Sequence, residues 1–501
     1  MNTLALSSRS HPARPTWLWL GAALLIGGCA VGPDYQRPAA PEPAAFKEAP
    51  GTGAQWFPAA PADALDRGPW WELFGDPVLN GLVAQVEVSN QNVAAAVAAY
   101  AQARATLSQQ RASVFPTLGL NGSERRIGGA SNGGSFNAAA LGLQASWEPD
   151  IWGQLRRGVE GAQASAQASD ASLAAARLSA QGAVATNYFL LRDADNQIRL
   201  LQQAVEAYQR ALKITQNTYD AGIAAKTDVL QAQTQLASTQ ANLVSVQGQR
   251  PLYEHAIAVL IGKAPADFAL APMADWQGRV PAVPIGVPSG LLQRRPDIAA
   301  AERAVASANA QIGVQTAGYY PNFTLSAAYG TAAARTADLF DASAVLWSLG
   351  LSATQTLFDA GATKARVQGA EAQRNQAVAQ YRQTVLSAFQ GVEDQLVQAK
   401  SLTGQAEFRR EASRAADLTE TQLLNQYKEG QVAYTDVIIA QAAALNARQT
   451  LSQLSATQLT NAVALIQALG GGWQADALQH DAEQAPPPVS AAMPGMGASS
   501  Q

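Results

Sequence analysis

The 501-residue chain contains one cysteine, three histidines and four methionines. A lone cysteine excludes an intramolecular disulfide. No Ser/His/Asp set, metal-ligand cluster or phosphate loop is found along the chain, so no enzyme and no cofactor are expected. His255, alone on a predicted helix, reads as structural rather than catalytic. Charge is scarce as well. Charged residues make up 14% and the net charge is −4, so no basic patch argues for nucleic acid. No apolar run approaches the roughly 20 residues that a spanning helix needs. Proline is missing between Pro149 and Pro251 and again between Pro321 and Pro486. Long helices need such stretches.

What is present begins at the N-terminus. Arg9 and Arg14 precede the apolar run Trp17 to Ile26, which has the make-up of a signal-peptide core. The run ends Leu25-Ile26-Gly27-Gly28-Cys29, which resembles the bacterial lipoprotein signal. That resemblance implies cleavage before Cys29, a covalent lipid on its thiol and, with Ala30 rather than aspartate next, delivery to the outer membrane. An ordinary secretory signal with a chance cysteine is the competing reading. Residues 1–28 are thus expected as signal peptide and 29–62 as a lipid-anchored Pro/Ala-rich linker. In polyproline geometry such a linker rises about 3.1 Å per residue. The Pro-rich tail, 476–501, is expected to be disordered.

The body is a duplication. Tyr219, Gly222, Thr227, Asp228, Val229, Ala232 and Gln233 recur as Tyr427, Gly430, Thr435, Asp436, Val437, Ala440 and Gln441. The offset is constant at 208 residues (436 − 228). It persists from Leu141-Gly142-Leu143 against Leu349-Gly350-Leu351 to Gly262 against Gly470. Residues 63–262 and 291–475 form the two repeats, joined by a Pro-rich connector, 263–290.

Each repeat predicts a long helical hairpin. Val184, Leu191, Ile198, Val205, Leu212 and Tyr219 stand seven apart, a coiled-coil seam, with Leu201 and Tyr208 three residues after seam positions. Val229, Leu236, Leu243 and Ile257 continue the register on the return helix, with Arg250 as the one break. Gly222 ends the first helix in a left-handed turn. A helix from Trp152 to Tyr219 would reach about 100 Å at 1.5 Å per residue. Shorter segments flank the helices. Phe115 to Leu120 opens one β-hairpin that returns through Phe136 to Trp147, and Tyr320 to Leu325 opens another that returns through Val345 to Thr356. Four strands of this length suit a membrane barrel, and two small soluble hairpins are the bland reading. In a membrane, Trp147 and Trp347 would serve as aromatic girdles. Four strands cannot close a barrel, and open edges in lipid leave backbone groups unpaired. Three protomers supply twelve strands, an accepted even number.

Trp70 to Leu79, Leu292 to Ile298, Phe358-Asp359-Ala360-Gly361 and the Gly-x4-Thr-Asp-Val pattern of both hairpin tips resemble the TolC-like outer-membrane factor family. Gly32-Pro33-Asp34-Tyr35 after Cys29 is similar to its lipoprotein (OprM/NodT-type) branch. The resemblance implies a mainly α fold with membrane β: a homotrimer with a 12-stranded β-barrel continuous with a long periplasmic α-helical barrel. It implies a periplasmic adaptor and an inner-membrane, commonly proton-driven, transporter as partners, and export of drugs or other small toxic molecules. A type I protein-secretion duct uses similar channels. From a different class, a coiled-coil scaffold without a pore is disfavoured by Cys29 and the proline-flanked hairpins. Carried over by position, Asp436 would ring the periplasmic gate, with Tyr427 and Asp228 bonding to hold it shut. Ala221, Gly222 and Ile223 with Glu429, Gly430 and Gln431 would form the adaptor-docking tips. Ile439 stands where some members place a second aspartate, and Val432 where some have a closing arginine. Lys226 and Lys428 are candidates to replace that arginine. Helix capping is the competing role for Asp228 and Asp436. Trp70, Trp71 and Phe74 read as collar packing.

Overall fold

The computed structural model describes residues 30–41, 43–48, 69–128, 135–273, 276–283 and 294–473. Cys29, the leader before it and the tail 476–501 lie outside the described residues. After a single turn at Trp70–Phe74, the order is α1 (Pro77–Ser89), α2 (Gln91–Ala112), β1 (Thr117–Gly128), β2 (Ser135–Trp147), α3 (Gln154–Asp220) and α4 (Lys226–Leu260). Then follow α5 (Pro296–Thr316), β3 (Asn322–Ala333), β4 (Val345–Thr354), α6 (Ala362–Lys428) and α7 (Tyr434–Ala468). α3 and α6 each have 67 residues, α4 and α7 each 35, and all four boundaries shift by the same 208 (362 − 154, 468 − 260). Among the described residues no helix is long and apolar enough to cross a membrane.

The chain divides into two units. The first is Met1–Pro38, Gln102–Ala166 and Arg303–Ala379. It holds one four-stranded antiparallel sheet in the order β1-β2-β3-β4. The two predicted hairpins are therefore a single sheet, because β2 pairs directly with β3, Trp147 opposite Leu325 and Ala139 opposite Ala333. Paired residues share a face, and the registers sort the side chains. One face carries Leu118, Leu120, Leu141, Leu143, Trp147, Leu325, Tyr329, Trp347, Leu349 and Leu351. The other carries Thr117, Asn121, Ser123, Gln144, Ser146, Ser326, Ser348 and Ser352; toward the β1–β2 and β3–β4 connections the sorting relaxes, with Ile127, Phe136 and Leu346 on this face and Glu124 and Arg126 on the apolar one. The apolar face is bare: Trp347 is 77% exposed and Leu349 69%. Trp147 and Trp347 both stand on it, not in a soluble core, but in different rows, since Trp347 lies opposite Tyr329 and Tyr329 opposite Leu143. Among the described residues, β1 and β4 each have one edge without a partner.

The same unit shows what the motif at 358–361 does. Asp359 accepts hydrogen bonds from the amides of Gly361 (2.9 Å) and Thr363 (2.7 Å) and from the Thr363 hydroxyl, starting α6. Gly361 sits at φ 90°. Asp150 does the same for α3, accepting from the amides of Leu155 and Arg156.

The second unit is Ala39–Ala101, Gln167–Glu302 and Gln380–Gln501. Its core gathers Trp70, Phe74, Leu79 and Val83 with Tyr188, Phe189 and Leu191 of α3, Ile257 of α4 and Leu459, Val463 and Ile466 of α7. Trp70 is fully buried, and its indole N–H donates to Gln181 Oε1 at 3.2 Å. Trp70 and Phe74 thus serve packing, with Trp71 partly buried against the same core. Of the heptad seam, Val184 and Leu191 are buried, but Ile198, Val205 and Leu212 are half-buried and Tyr219 is exposed. Nearer the tip the buried line runs through Leu201, Tyr208 and Thr215, the positions three residues on. α4 continues through Pro251, as its register to Ile257 requires. One expectation shifts. Residues 39–48 are not a free spacer, since Phe46 is buried beside Phe389 and the Lys47 and Glu48 amides both donate to the Glu393 carboxylate.

Candidate functional site

Both helical hairpins turn on a left-handed glycine. Gly222 (φ 75°) donates to Tyr219 O at 2.8 Å, and Ile223 to Thr218 O at 2.9 Å. Gly430 (φ 74°) donates to Tyr427 O at 2.9 Å, and Gln431 to Gln426 O at 2.9 Å. Such a closure satisfies the last helical carbonyls, and a Cβ at φ > 0 would strain it. The turns project Ala221, Gly222 and Ile223 on one tip and Glu429, Gly430 and Gln431 on the other, all exposed. Ile223 is 81% exposed.

Behind the tips, α4 and α7 start with Asp228 and Asp436 in their first turns. The N-cap residues are Ala225 and Ala433, and neither helix has a side-chain cap. The aspartates therefore favour the helix N-terminus by charge alone, worth about 0.3–1 kcal/mol. Asp436 is exposed and Asp228 half-buried. Among the described residues no hydrogen bond joins Tyr427 to Asp228 within the protomer. Tyr427 instead packs on Tyr434, ring centroids 5.1 Å apart. Tyr434 is the residue that sequence reasoning missed. It is buried with Val437, Ala211 and Ala232, and burial above all holds its hydroxyl protonated beyond the usual tyrosine range. Of the three expected gate residues, Tyr427 packs against it, and the charge of Asp228 adds to the upward shift of its hydroxyl. Its repeat mate is Lys226, which breaks the duplication and hides the position. Lys226 itself lies 5.1 Å over the Tyr219 ring. Between α4 and α7 runs a groove of about 510 Å³, lined by Leu230, Gln231, Thr435, Ile438 and Ile439 among others. Thr435 Oγ1 donates to Gln231 Oε1 across it at 3.2 Å. Ile439 is 64% exposed.

The hairpins are braced further back. Arg448 of α7 bonds Asp417 (2.7 Å) and Glu420 (2.9 Å) of α6. Arg250, the break in the apolar register of α4, bonds Asp195 of α3 at 2.6 Å and the Leu270 carbonyl of the connector. Arg192 shares Asp195 and holds the Ala271 carbonyl. Asp193, beside them, accepts from Ser452 of α7 and Gln197, and its burial raises its pKa. Asp76 accepts from the amides of Val78 and Leu79, the Tyr188 hydroxyl (2.7 Å) and the Trp276 indole (2.9 Å). Burial pulls its pKa up, but these four donors together pull it below 3.8. The Arg-Arg-Pro-Asp motif pins the start of α5 to the end of α7. Arg295 grips Asp297 with two bonds and donates to Ala468 O at 2.8 Å.

A sheet that is greasy on one face, polar on the other and unpaired at both edges, in one chain with two long hairpins whose turns stand exposed, defines the protomer of an outer-membrane channel. The chain belongs to the outer membrane efflux protein family, whose model matches residues 82–263 and 287–471, one match per repeat. It is 30% identical over 462 residues to the probable efflux pump outer membrane protein TtgC of Pseudomonas putida, across 90% of this chain and 94% of that one. It is 28% identical over 455 residues to the cation efflux system protein CusC of Escherichia coli, across 90% and 98%. The solved outer-membrane channel OprN superposes with a TM-score of 0.81 at 30% identity, over 89% of this chain and 100% of that chain. The protein is thus an outer-membrane component of an efflux system, extending into the periplasm.

Proposed function

We propose that three copies close one 12-stranded barrel and one helical barrel beneath it, forming the exit duct of a tripartite pump. The observation that supports this most strongly is the pair of open edges at β1 and β4 beside a bare apolar face. Each backbone group left unpaired in hydrocarbon costs several kcal/mol, and neighbouring protomers remove both edges at once. The apolar face meets lipid, and the serine-rich face lines water. A lipid on Cys29 adds a second attachment. A periplasmic adaptor docks at Ala221–Ile223 and Glu429–Gln431, delivering small toxic molecules from a proton-driven inner-membrane transporter. The duct binds and passes cargo without chemistry on it.

In this reading Asp436 rings the entrance, with Tyr427, Tyr434 and Asp228 behind it. A ring of carboxylates attracts cations. The test is reconstitution in planar bilayers. Wild type should run in mild detergent at three times the protomer mass and conduct weakly, with block by divalent cations from the tip side. Asp436→Ala should relieve the block, and Tyr427→Phe with Asp228→Ala should raise conductance. A stable monomer with full β-content in a bilayer would refute the shared barrel. Identical behaviour of all variants would leave the aspartates as helix-end charges only.

A further inference from the structure

We propose that Ala30–Tyr35 is a clasp: a built-in peptide ligand that seats in a notch between α3 and α5 and ties the first repeat to the second at the foot of the sheet. The Val31 amide donates to Trp152 O at 2.9 Å. The Arg157 side chain, only 7% exposed, donates to Asp34 at 2.7 Å and to Glu160 on its own helix at 2.7 Å. It also reaches the carbonyls of Val31 (3.3 Å) and Gly32 (3.4 Å). From α5, the buried Asn309 donates to Pro33 O at 2.8 Å. The Arg303 guanidinium stands 5.6 Å over the Tyr35 ring.

The fit is steric as well as polar. Gly32 holds φ 93°, and a Cβ there would come within 2.5 Å of Gly313 Cα. A Cβ on Gly313 would lie 2.8 Å from Val31 O and 2.8 Å from Arg157 Cγ. A Cβ on Gly153, at φ 80°, would lie 2.7 Å from Ala30 Cα. Gly32 and Gly313 therefore make room for each other's segment, and Gly153 makes room for Ala30. The grip passes on to the sheet. Trp152, which receives the Val31 amide, stacks on Tyr320 with centroids 4.7 Å apart and donates its indole N–H to Pro321 O at 2.8 Å. Those residues lead into β3, the strand paired with β2. The clasp thus holds the feet of the two central strands, independently of any lipid on Cys29.

The test is amide hydrogen exchange over residues 30–35 in the full-length protein in detergent. Gly313 lies within α5, where helix propensity alone makes Gly→Ala stabilising. The clasp demands the opposite sign. Gly313→Ala should speed exchange over 30–35 by at least about tenfold, as local opening becomes easy. Asn309→Ala, which removes the Pro33 anchor without a clash, should speed it in the same direction by a smaller factor. Gly369→Ala, on α6 with nothing within 4 Å of its Cβ, should leave the segment protected. Cys29→Ala should leave it protected too. Unchanged exchange in both Gly313→Ala and Asn309→Ala would overturn the clasp. So would loss of protection in Cys29→Ala alone, because the lipid rather than the notch would then be holding the segment. The readout is local and stands whether or not the channel conducts.

Discussion

Replacing Asp76 by alanine should loosen the joint on which the first repeat is built. The carboxylate caps α1 through the amides of Val78 (2.9 Å) and Leu79 (3.2 Å). Losing an aspartate cap costs about 1 kcal/mol. Two further donors are orphaned. The Tyr188 hydroxyl belongs to a fully buried residue, so its loss costs about 2 kcal/mol. Trp276 is half-buried and its indole N–H can turn to water, so about 1 kcal/mol is enough there. The sum is about 4 kcal/mol, less whatever the four bonds share. Thermal unfolding of the detergent-solubilised protein should start well below wild type, and the first amides of α1 should exchange faster. Asp76→Asn keeps one acceptor for the cap and should fall between the two. The pH dependence has a fixed sign. The folded pKa is lowered, so the charge-dependent part of this stability is complete above the unfolded value and is lost as pH falls through the folded one. The gap between wild type and Asp76→Ala should therefore be constant near neutrality and narrow in strong acid. Equal unfolding of the two proteins at pH 7, or a gap undiminished by acid, would refute the reasoning.

Asp193 should behave in the opposite way: its folded pKa is raised by burial, so its charged form is disfavoured and stability falls as pH rises through the window above 3.8. Asp193→Asn should then raise stability slightly, by about 1 kcal/mol, and a clear loss would show that the carboxylate's bonds from Ser452 and Gln197 matter more than its burial. On the sheet, Leu349→Arg should cut the yield of assembled protein in the outer membrane, since arginine on the lipid face costs about 2–4 kcal/mol at mid-bilayer. Ser348→Arg, one residue away on the opposite face, should assemble normally, and the reverse pattern would put lipid on the serine side. Mass spectrometry of the mature N-terminus should find an acylated Cys29, and an unmodified cysteine or cleavage elsewhere would remove the anchor from the scheme.

Much of the helical body is legible because its signals are local. A seven-residue seam, proline-free runs and one glycine per turn are enough to predict a helix from Trp152 to Tyr219, within two residues of the observed Gln154–Asp220, with its turn at Gly222. The strands are legible for the same reason, from Phe115-Pro116 and Tyr320-Pro321 through alternating Leu-Gly-Leu. What the sequence hides is long-range. Asp76 meets Tyr188 and Trp276 across 112 and 200 residues, and its motif says only that a helix begins. The union of two hairpins into one sheet rests on β2 against β3, which no local pattern marks. Composition misleads at residues 30–48. Proline and alanine suggest an extended spacer, but Gly32 and Phe46 are each shaped to a particular receiving surface. At the entrance, Tyr434 escapes notice because its repeat mate is a lysine. Resemblance directs attention to Tyr427, whereas burial singles out Tyr434.

The repeats share a backbone but not its fastenings. The boundaries of the four long hairpin helices repeat at an offset of 208 to the residue. The ionic braces do not. Asp195 and Arg250, which clamp the first hairpin, correspond to Thr403 and Gln458 in the second. Asp417, Glu420 and Arg448, which clamp the second, correspond to Gln209, Leu212 and Gln240 in the first. The braces also sit at different heights. Arg448 lies 14 residues into its helix from the tip (448 − 434), and Arg250 lies 24 (250 − 226). Packing of small and apolar side chains sets the helix path, so the path survives duplication wherever residue sizes do. A brace needs two particular groups at once and is lost when either changes. Among the described residues, each hairpin carries its ionic clamp where its twin has only neutral bonds or packing: Gln458, the mate of Arg250, donates to the Leu402 carbonyl of α6 at 3.3 Å. The first is tied at the connector and left to apolar packing near its tip, and the second is tied close to the tip. If the tips line the entrance as proposed, a motion that parts the helices of a hairpin there works against the Arg448 ion pairs in the second hairpin and against the packing around Leu212 and Val229 in the first.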